Sequence, residues 1–179
     1  MKMDSSKVIS EKLAAYCQAN HIILNTENFN MVCKEALTEE EYHQCFLSHE
    51  VGDQLDALAQ KGDAAFERGS YRNAIKTYQK GLDLLPEPRN QWEAKLWFTA
   101  AIADSYWFLQ QYDKALEFLE ESLQVEGGHA NPFIRLRLGQ VFFELGRMEE
   151  AKDELLKGYK LGGEELFEDE DEKYWNLMA

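Results

Sequence analysis

Cysteine and proline are both scarce, with three of each in 179 residues. An odd number of cysteines without framework spacing indicates free thiols, so we expect a reducing, cytoplasmic compartment. No apolar run is long enough for a signal peptide or a membrane-spanning helix. Valine- and isoleucine-rich alternating runs, which predict strands, are also missing. These absences favour an all-α chain without disulfide bonds.

Basic residues are outnumbered by acidic ones, 19 against 33, which gives a formal net charge of −14. Nucleic-acid binding requires a basic face that neutralises phosphates, so this balance argues against it, and it also disfavours an anionic membrane surface. A basic partner is the natural expectation. The acidic charge is densest in the segment from Glu164 onward, here called the tail, where seven carboxylates accompany Lys173. We interpret that charge as a solvated surface.

Motifs for catalysis are missing as well. The chain has no glycine-rich phosphate loop, no His-Glu-X-X-His sequence and no nucleophile elbow. One group of candidate metal ligands, Cys33, His43, Cys45 and His49, fits no standard zinc spacing, and Cys33 falls on the apolar face of a helix. We therefore expect no metal, no cofactor and no enzymatic activity. An enzyme would become a serious hypothesis only if an activity measured with metal present survived purification and changed on substitution of Cys45 or His49.

A pattern of small residues and turns occurs three times along the chain. Within 58–86, Gly62 and Ala74 stand where two antiparallel helices must approach closely, and Gly69 begins the turn between them. The corresponding small residues of two further copies are Ala103 with Ala115 and Gly139 with Ala151. This pattern resembles the tetratricopeptide repeat (TPR), a helix–turn–helix unit of about 34 residues.

The resemblance implies an all-α fold, a right-handed TPR superhelix (α-solenoid) of stacked helix pairs. The repeats occupy 51–165, with units at about 55–88, 96–129 and 132–165 and roughly seven extra residues between the first two. Residues 1–50 do not match the repeat. Their patterns predict a helical N-terminal cap that packs on the first repeat, with Thr38 and Glu41 capping its third helix. Residues 166–179 are predicted to form an acidic tail or capping helix, starting near Asp169, that covers the last repeat.

The resemblance also predicts where a partner binds. In this family the first helix of each pair lines a concave surface, so the chain would present aromatic rings mixed with charged and polar groups there. Trp97 and Phe133 are the preferred contacts, because an amphipathic helix has no other evident reason to place them on that face, whereas Trp107 and Phe143 lie beside packing positions. The full predicted set is Asp56, Asp63, Phe66, Trp97, Asp104, Trp107, Phe133, Arg137, Gln140 and Phe143.

These features predict a non-catalytic module that binds another protein, either basic or with an exposed apolar segment. Two hypotheses follow. The first is an immunity protein that neutralises a basic bacterial toxin, favoured by the acidity. The alternative is a secretion-type chaperone or adaptor that holds an extended client segment, favoured by the aromatic surface. Steep salt dependence would indicate the first. A regulatory repeat domain of a larger protein also fits.

A more specific hypothesis fails on the residues. Some TPR co-chaperones grip the terminal carboxylate of a heat-shock protein with Lys and Asn side chains. The corresponding positions are Ala59, Asp63, Ala101 and Arg137. Three of the four lack a suitable donor, and Asp63 would repel a carboxylate. We therefore expect no such clamp.

Overall fold

The computed structural model describes residues 5–25 and 28–178, apart from the side chains of 5–7 and 43–45. The chain divides into two compact units, the first ending at Gly52 and the second beginning at Asp53. The described residues contain ten α-helices and three short 3-10 turns and no strand, as the sequence predicted. Among those helices, none has both the length and the apolar character needed to cross a bilayer.

The first unit contains helices α1 (Ser5–Asn20), α2 (Phe29–Ala36) and α3 (Glu39–Cys45). Thr38 caps α3 as predicted: its hydroxyl accepts from the Glu41 backbone N–H at 3.3 Å, and the Glu41 carboxylate accepts from the Thr38 N–H at 3.0 Å. The thiols of Cys17 and Cys33 are free and buried. The core residues of this unit are Ile9, Leu13, Cys17, Val32, Cys33 and Leu37.

Three helix pairs form the repeats, as the repeat pattern predicted. The helices are α4 (His49–Glu67) with α5 (Tyr71–Leu84), α6 (Glu93–Phe108) with α7 (Tyr112–Leu123), and α8 (Pro132–Glu144) with α9 (Met148–Gly162). At the start of α8, Pro132 occupies the first turn, and the Asn131 side chain accepts from the Ile134 N–H at 3.2 Å. Proline suits this position because its missing N–H would have no partner inside the helix.

The small residues lie where the paired helices touch, which confirms the packing expected from the repeat pattern. A Cβ added to Gly62 would stand 2.1 Å from the Tyr78 ring, and one added to Gly139 would stand 2.5 Å from Leu155 Cγ. Their partners Ala74 and Ala151 are fully buried. A larger side chain at these positions would therefore force the helices of a pair apart.

The turn inside each pair has one backbone geometry. Gly69, Gln110 and Gly146 all have positive φ, between 55° and 76°. In each turn the N–H of that residue donates to the carbonyl three residues earlier, and the next N–H donates to the carbonyl five residues earlier. Gln110 adopts this conformation without being glycine, which explains why the sequence of the second turn differs from the other two.

The extra residues between the first two repeats form an ordered connection. A 3-10 turn covers Arg89–Gln91, and Trp92 follows it at the start of α6. The Trp92 side chain is buried, and its indole N–H donates to the Pro86 carbonyl at 2.8 Å. The insertion thus folds back on the end of α5 and leaves the helix-pairing positions unchanged.

The tail forms a 3-10 turn at Glu164–Phe167 and then the short helix α10 (Glu172–Met178), which begins three residues later than expected. Phe167 and Tyr174 of the tail are buried in one cluster with Leu136 of α8 and Leu155 of α9. The acidic side chains are divided: Glu164, Glu165, Glu168 and Asp169 are exposed, whereas Glu170 is half-buried. The tail therefore combines a solvated acidic side with an apolar side that covers the last repeat.

Candidate functional site

Helices α4, α6 and α8, the first of each pair, form a surface that we call the inner face. Trp97 on α6 is the most prominent side chain there, with 42% of its surface exposed. Its ring is held edge-on against Tyr78 at 5.5 Å and against Phe98 at 5.0 Å between ring centroids. An exposed tryptophan fixed by two buried rings presents a rigid apolar surface, which is typical of a protein-binding site.

Two hollows flank Trp97. The first, of about 320 Å³, lies between α4 and α6. Alanines rather than large side chains line part of it, so space is left beside the tryptophan ring. Carboxylates stand at its edge on both helices. Besides Trp97, the residues that line the first hollow are Leu55, Asp56, Ala59, Glu93, Ala94 and Phe98.

The second hollow, of about 280 Å³, lies between α6 and α8 on the other side of Trp97. Ala100 and Ala101 again provide the space, and Phe133 forms the wall from α8. Glu93 borders both hollows, so the tryptophan is surrounded by acidic groups as well as by apolar ones. Besides Trp97, the residues that line the second hollow are Glu93, Leu96, Ala100, Ala101, Asp104, Asn131 and Phe133.

A buried ion pair closes the bottom of the second hollow. The Asp104 carboxylate lies 2.7 Å from the guanidinium of Arg137, which is 6% exposed. The guanidinium also lies over the rings of Trp107, at 5.0 Å, and Phe133, at 5.3 Å. Burial raises the pKa of the Asp104 carboxyl, and the positive charge of Arg137 opposes this shift. Arg137 is therefore used inside the protein and does not offer a free cation to a ligand.

The tail covers the inner face at the third repeat and at the end of α6. The Tyr174 ring packs against Phe143 at 5.3 Å and Trp107 at 6.3 Å, and its hydroxyl donates to Glu144 at 2.9 Å. Glu170 accepts from the fully buried amide of Gln140 at 2.6 Å. The open part of the inner face is thus confined to α4, α6 and the beginning of α8.

Four of the ten residues predicted as partner contacts come together around the hollows, namely Asp56, Trp97, Asp104 and Phe133. The other six have internal contacts. Asp63 accepts from the Tyr78 hydroxyl at 2.7 Å, and Phe66 packs against Tyr71 and Phe108. Trp107, Arg137, Gln140 and Phe143 lie under or beside the tail.

Glu93 and Asn131 belong to the site but were not among the predicted contacts. Glu93 lies four residues before Trp97 and so shares its face of α6, a spacing that the sequence already contains. Asn131 caps α8 and precedes its first turn, so it lies outside the helices whose faces were assigned to the concave surface.

Of the four candidate metal ligands considered from the sequence, Cys33 and His49 have described side chains. Cys33 is fully buried in the core of the first unit. The side chains of His43 and Cys45 lie outside the described residues. Within the part of the chain that is described, no group of three or more His, Cys, Asp or Glu side chains is arranged to hold a metal ion.

Comparison with known proteins addresses the family. Models of the tetratricopeptide repeat match residues 55–88 and 106–159. No curated protein matches the chain. Among solved structures, the second TPR domain of human RPAP3 in complex with an HSP70 peptide has a TM-score of 0.55 at 20% identity, covering 72% of this chain and 94% of that one.

Two further solved structures resemble the chain. The C-terminal TPR-containing domain of a putative FK506-binding protein from Plasmodium falciparum has a TM-score of 0.59 at 18% identity, covering 74% of this chain and 89% of that one. MamA from Desulfovibrio magneticus has a TM-score of 0.54 at 18% identity, covering 99% of this chain and 84% of that one. At such identities the likeness is one of fold. The matches of the repeat models, together with the three in-phase turns and the small residues between paired helices, place the chain in the tetratricopeptide repeat family.

Proposed function

We propose that this chain binds another protein without catalysing a reaction, and that it holds an extended segment of that protein across Trp97. The exposed ring of Trp97, fixed between two hollows, is the observation that carries the proposal. TPR domains are generally binding modules, and the RPAP3 domain was solved with a peptide. A segment lying across the ring would place one side chain in each hollow.

The chemistry of the hollows indicates what the segment carries. Leu55, Phe98 and Phe133 offer apolar walls, which favour aliphatic or aromatic side chains. Asp56 and Glu93 are exposed at the edges and would attract lysine or arginine. We therefore propose a partner segment in which apolar residues alternate with basic ones.

A heat-shock tail of the kind bound by RPAP3 does not suit this surface. Ala59 and Ala101 stand at two of the positions that grip the carboxylate in such co-chaperones, and neither has a donor for it. Asp63 is acidic, and Arg137 is already paired with Asp104 at 2.7 Å. We propose instead that the segment is internal in its protein and is recognised through its side chains.

The two hypotheses on the biological role rest on different observations. The hollows beside Trp97 favour a chaperone or adaptor that holds a client segment, and this is the role that we propose. The net charge of −14 favours an immunity protein docked to a basic toxin. A complex held mainly by charge would weaken steeply between low and high salt, whereas one anchored by Trp97, with Asp56 and Glu93 contributing only at the edges, would weaken much less.

Capture experiments with matched variants test the proposal. Trp97→Ala removes the ring, and Trp175→Ala removes a similarly exposed tryptophan (38%) that packs on Tyr159 and Phe167 away from the hollows. Loss of a central aromatic anchor costs about 2 kcal/mol, roughly 30-fold in affinity. We expect the partner of the wild-type chain to be lost with Trp97→Ala and retained with Trp175→Ala. Equal capture by both variants would contradict the proposal.

A further inference from the structure

The tail contacts positions at the end of α6 and on α8 that the sequence assigned to a partner. Trp107, Gln140 and Phe143 each touch a tail residue, and Arg137 is linked to the tail through Gln140. Two of the tail residues that reach them are Glu170 and Tyr174, four positions apart, and the Lys173 ammonium group lies over the Phe143 ring at 5.7 Å. One acidic and one aromatic side chain thus fill a surface that the family fold otherwise leaves open.

Two consecutive hydrogen bonds hold the Glu170 side chain in place. Arg137 donates to the Gln140 side-chain oxygen at 2.7 Å, and the Gln140 side-chain N–H donates to Glu170 at 2.6 Å. Gln140 is fully buried, so its amide is fixed with its donor directed at the Glu170 carboxylate. A buried amide whose oxygen is engaged by a guanidinium is oriented to donate, and it therefore favours a carboxylate over a neutral or basic group.

The aromatic position has an equally defined environment. Tyr174 is 3% exposed and lies edge-on to Phe143 at 5.3 Å. Its hydroxyl donates to Glu144, and that carboxylate also lies 2.8 Å from the Lys173 ammonium group. This environment selects a ring with a hydrogen-bond donor at its tip.

Repulsion between carboxylates opposes the packing of the tail on the repeats. Asp104 and Glu170 are two carboxylates near one guanidinium, and the charge of Glu170 adds to the rise in the Asp104 pKa. Six further tail carboxylates are exposed on a chain whose net charge is already −14, namely Glu164, Glu165, Glu168, Asp169, Asp171 and Glu172. The tail is thus held by the burial of Phe167 and Tyr174 and by the Gln140–Glu170 hydrogen bond, and it is opposed by a general repulsion. This balance permits exchange with a competing segment.

We propose that the surface formed by Trp107, Arg137, Gln140 and Phe143 is a second recognition site, specific for a segment in which an acidic residue precedes tyrosine by four positions. The chain's own tail occupies this site, and a partner protein that carries such a segment displaces the tail. The site differs from the hollows beside Trp97 both in position and in the charge that it selects.

The probe for this proposal is a fluorescently labelled peptide with the sequence of residues 164–178. The receptor is the full chain with a loosened tail, Glu170→Gln with Tyr174→Ala. The matched control is the full chain with Glu168→Gln and Trp175→Ala, which changes one acidic and one aromatic residue at exposed tail positions. We expect the peptide to bind the loosened chain at least tenfold more tightly than the control or the wild type, measured by fluorescence anisotropy.

Two further measurements make the result decisive. A peptide with the same Glu170→Gln and Tyr174→Ala changes should bind the loosened chain at least tenfold more weakly than the original peptide. If circular dichroism shows that the loosened chain is unfolded, Glu170→Gln alone serves as the receptor, with Glu168→Gln as its control.

Equal binding of the peptide to receptor and control, or no binding to a folded receptor, would overturn the proposal. So would a wild-type dimer in sedimentation that dissociates when the peptide is added, because the tail would then be exchanged between copies. None of these results depends on Trp97, so they are independent of the function proposed above.

Discussion

The close approach of α4 and α5 predicts that two glycine-to-alanine substitutions in the same helix differ sharply in their effect on the free energy of unfolding. Gly52 and Gly62 both lie in α4. A Cβ added at Gly52 meets nothing within 4 Å, whereas one added at Gly62 would stand 2.1 Å from Tyr78 Cε1. The Tyr78 ring is 2% exposed, and its hydroxyl is tied to Asp63 at 2.7 Å. The ring therefore has little freedom to move aside.

The magnitude follows from two opposing effects. Alanine in place of glycine stabilises a helix by about 0.5–1 kcal/mol, and both variants receive this gain. Only Gly62→Ala also overpacks the helix interface, which costs about 1–3 kcal/mol. The helix effect largely cancels when the two variants are compared. We therefore expect Gly62→Ala to be less stable than Gly52→Ala by about 1–3 kcal/mol.

Urea unfolding followed by circular dichroism and by tryptophan fluorescence measures this difference. In thermal unfolding each kcal/mol corresponds to about 2–4 °C for a chain of this size. Gly52→Ala should equal or exceed the wild type in stability. Equal stability of the two variants would refute the claim that glycine at position 62 is required by helix packing, and with it the physical basis of the repeat assignment.

Two smaller effects should be measurable in the same way. Thr38→Ala removes the capping box with Glu41 and should lower the stability of α3 by about 1 kcal/mol. Amide hydrogen exchange in α3 should therefore accelerate, and unchanged exchange would show that the cap does not hold the helix. Ser122→Ala removes a fully buried hydrogen bond of 2.8 Å to the Thr99 hydroxyl. It should lower the free energy of unfolding by about 0.5–1.5 kcal/mol, since Thr99 keeps its bond to a backbone carbonyl, and a stability equal to wild type would show that this bond contributes nothing.

The features that sequence predicts well here are local. Small residues twelve positions apart, such as Gly62 and Ala74, fix the distance between paired helices, and the turn between them spans only a few residues. Thr38 and Glu41 form a cap within one helical turn. Such patterns depend on neighbours along the chain, so the periodicity and the helix ends follow from the residues themselves.

The features that sequence missed depend on residues far apart. Gln140 and Glu170 are separated by thirty positions, and Arg137 is held by Asp104 of another repeat. The family pattern assigned Arg137 and Gln140 to the open concave surface, and nothing local reveals that the tail folds back over them. Trp97 was predicted to be exposed, and it is, because among the described residues of the second unit no other segment covers the hollows on either side of it.

Oxidative footprinting of the complex with the captured partner tests the central claim most directly. Hydroxyl radicals modify exposed tryptophan rings, so the free chain should be oxidised at both Trp97 and Trp175. When the partner saturates the chain, we predict strong protection of Trp97 and unchanged oxidation of Trp175. Unchanged oxidation of Trp97 in a saturated complex would contradict the claim that the segment lies across this ring.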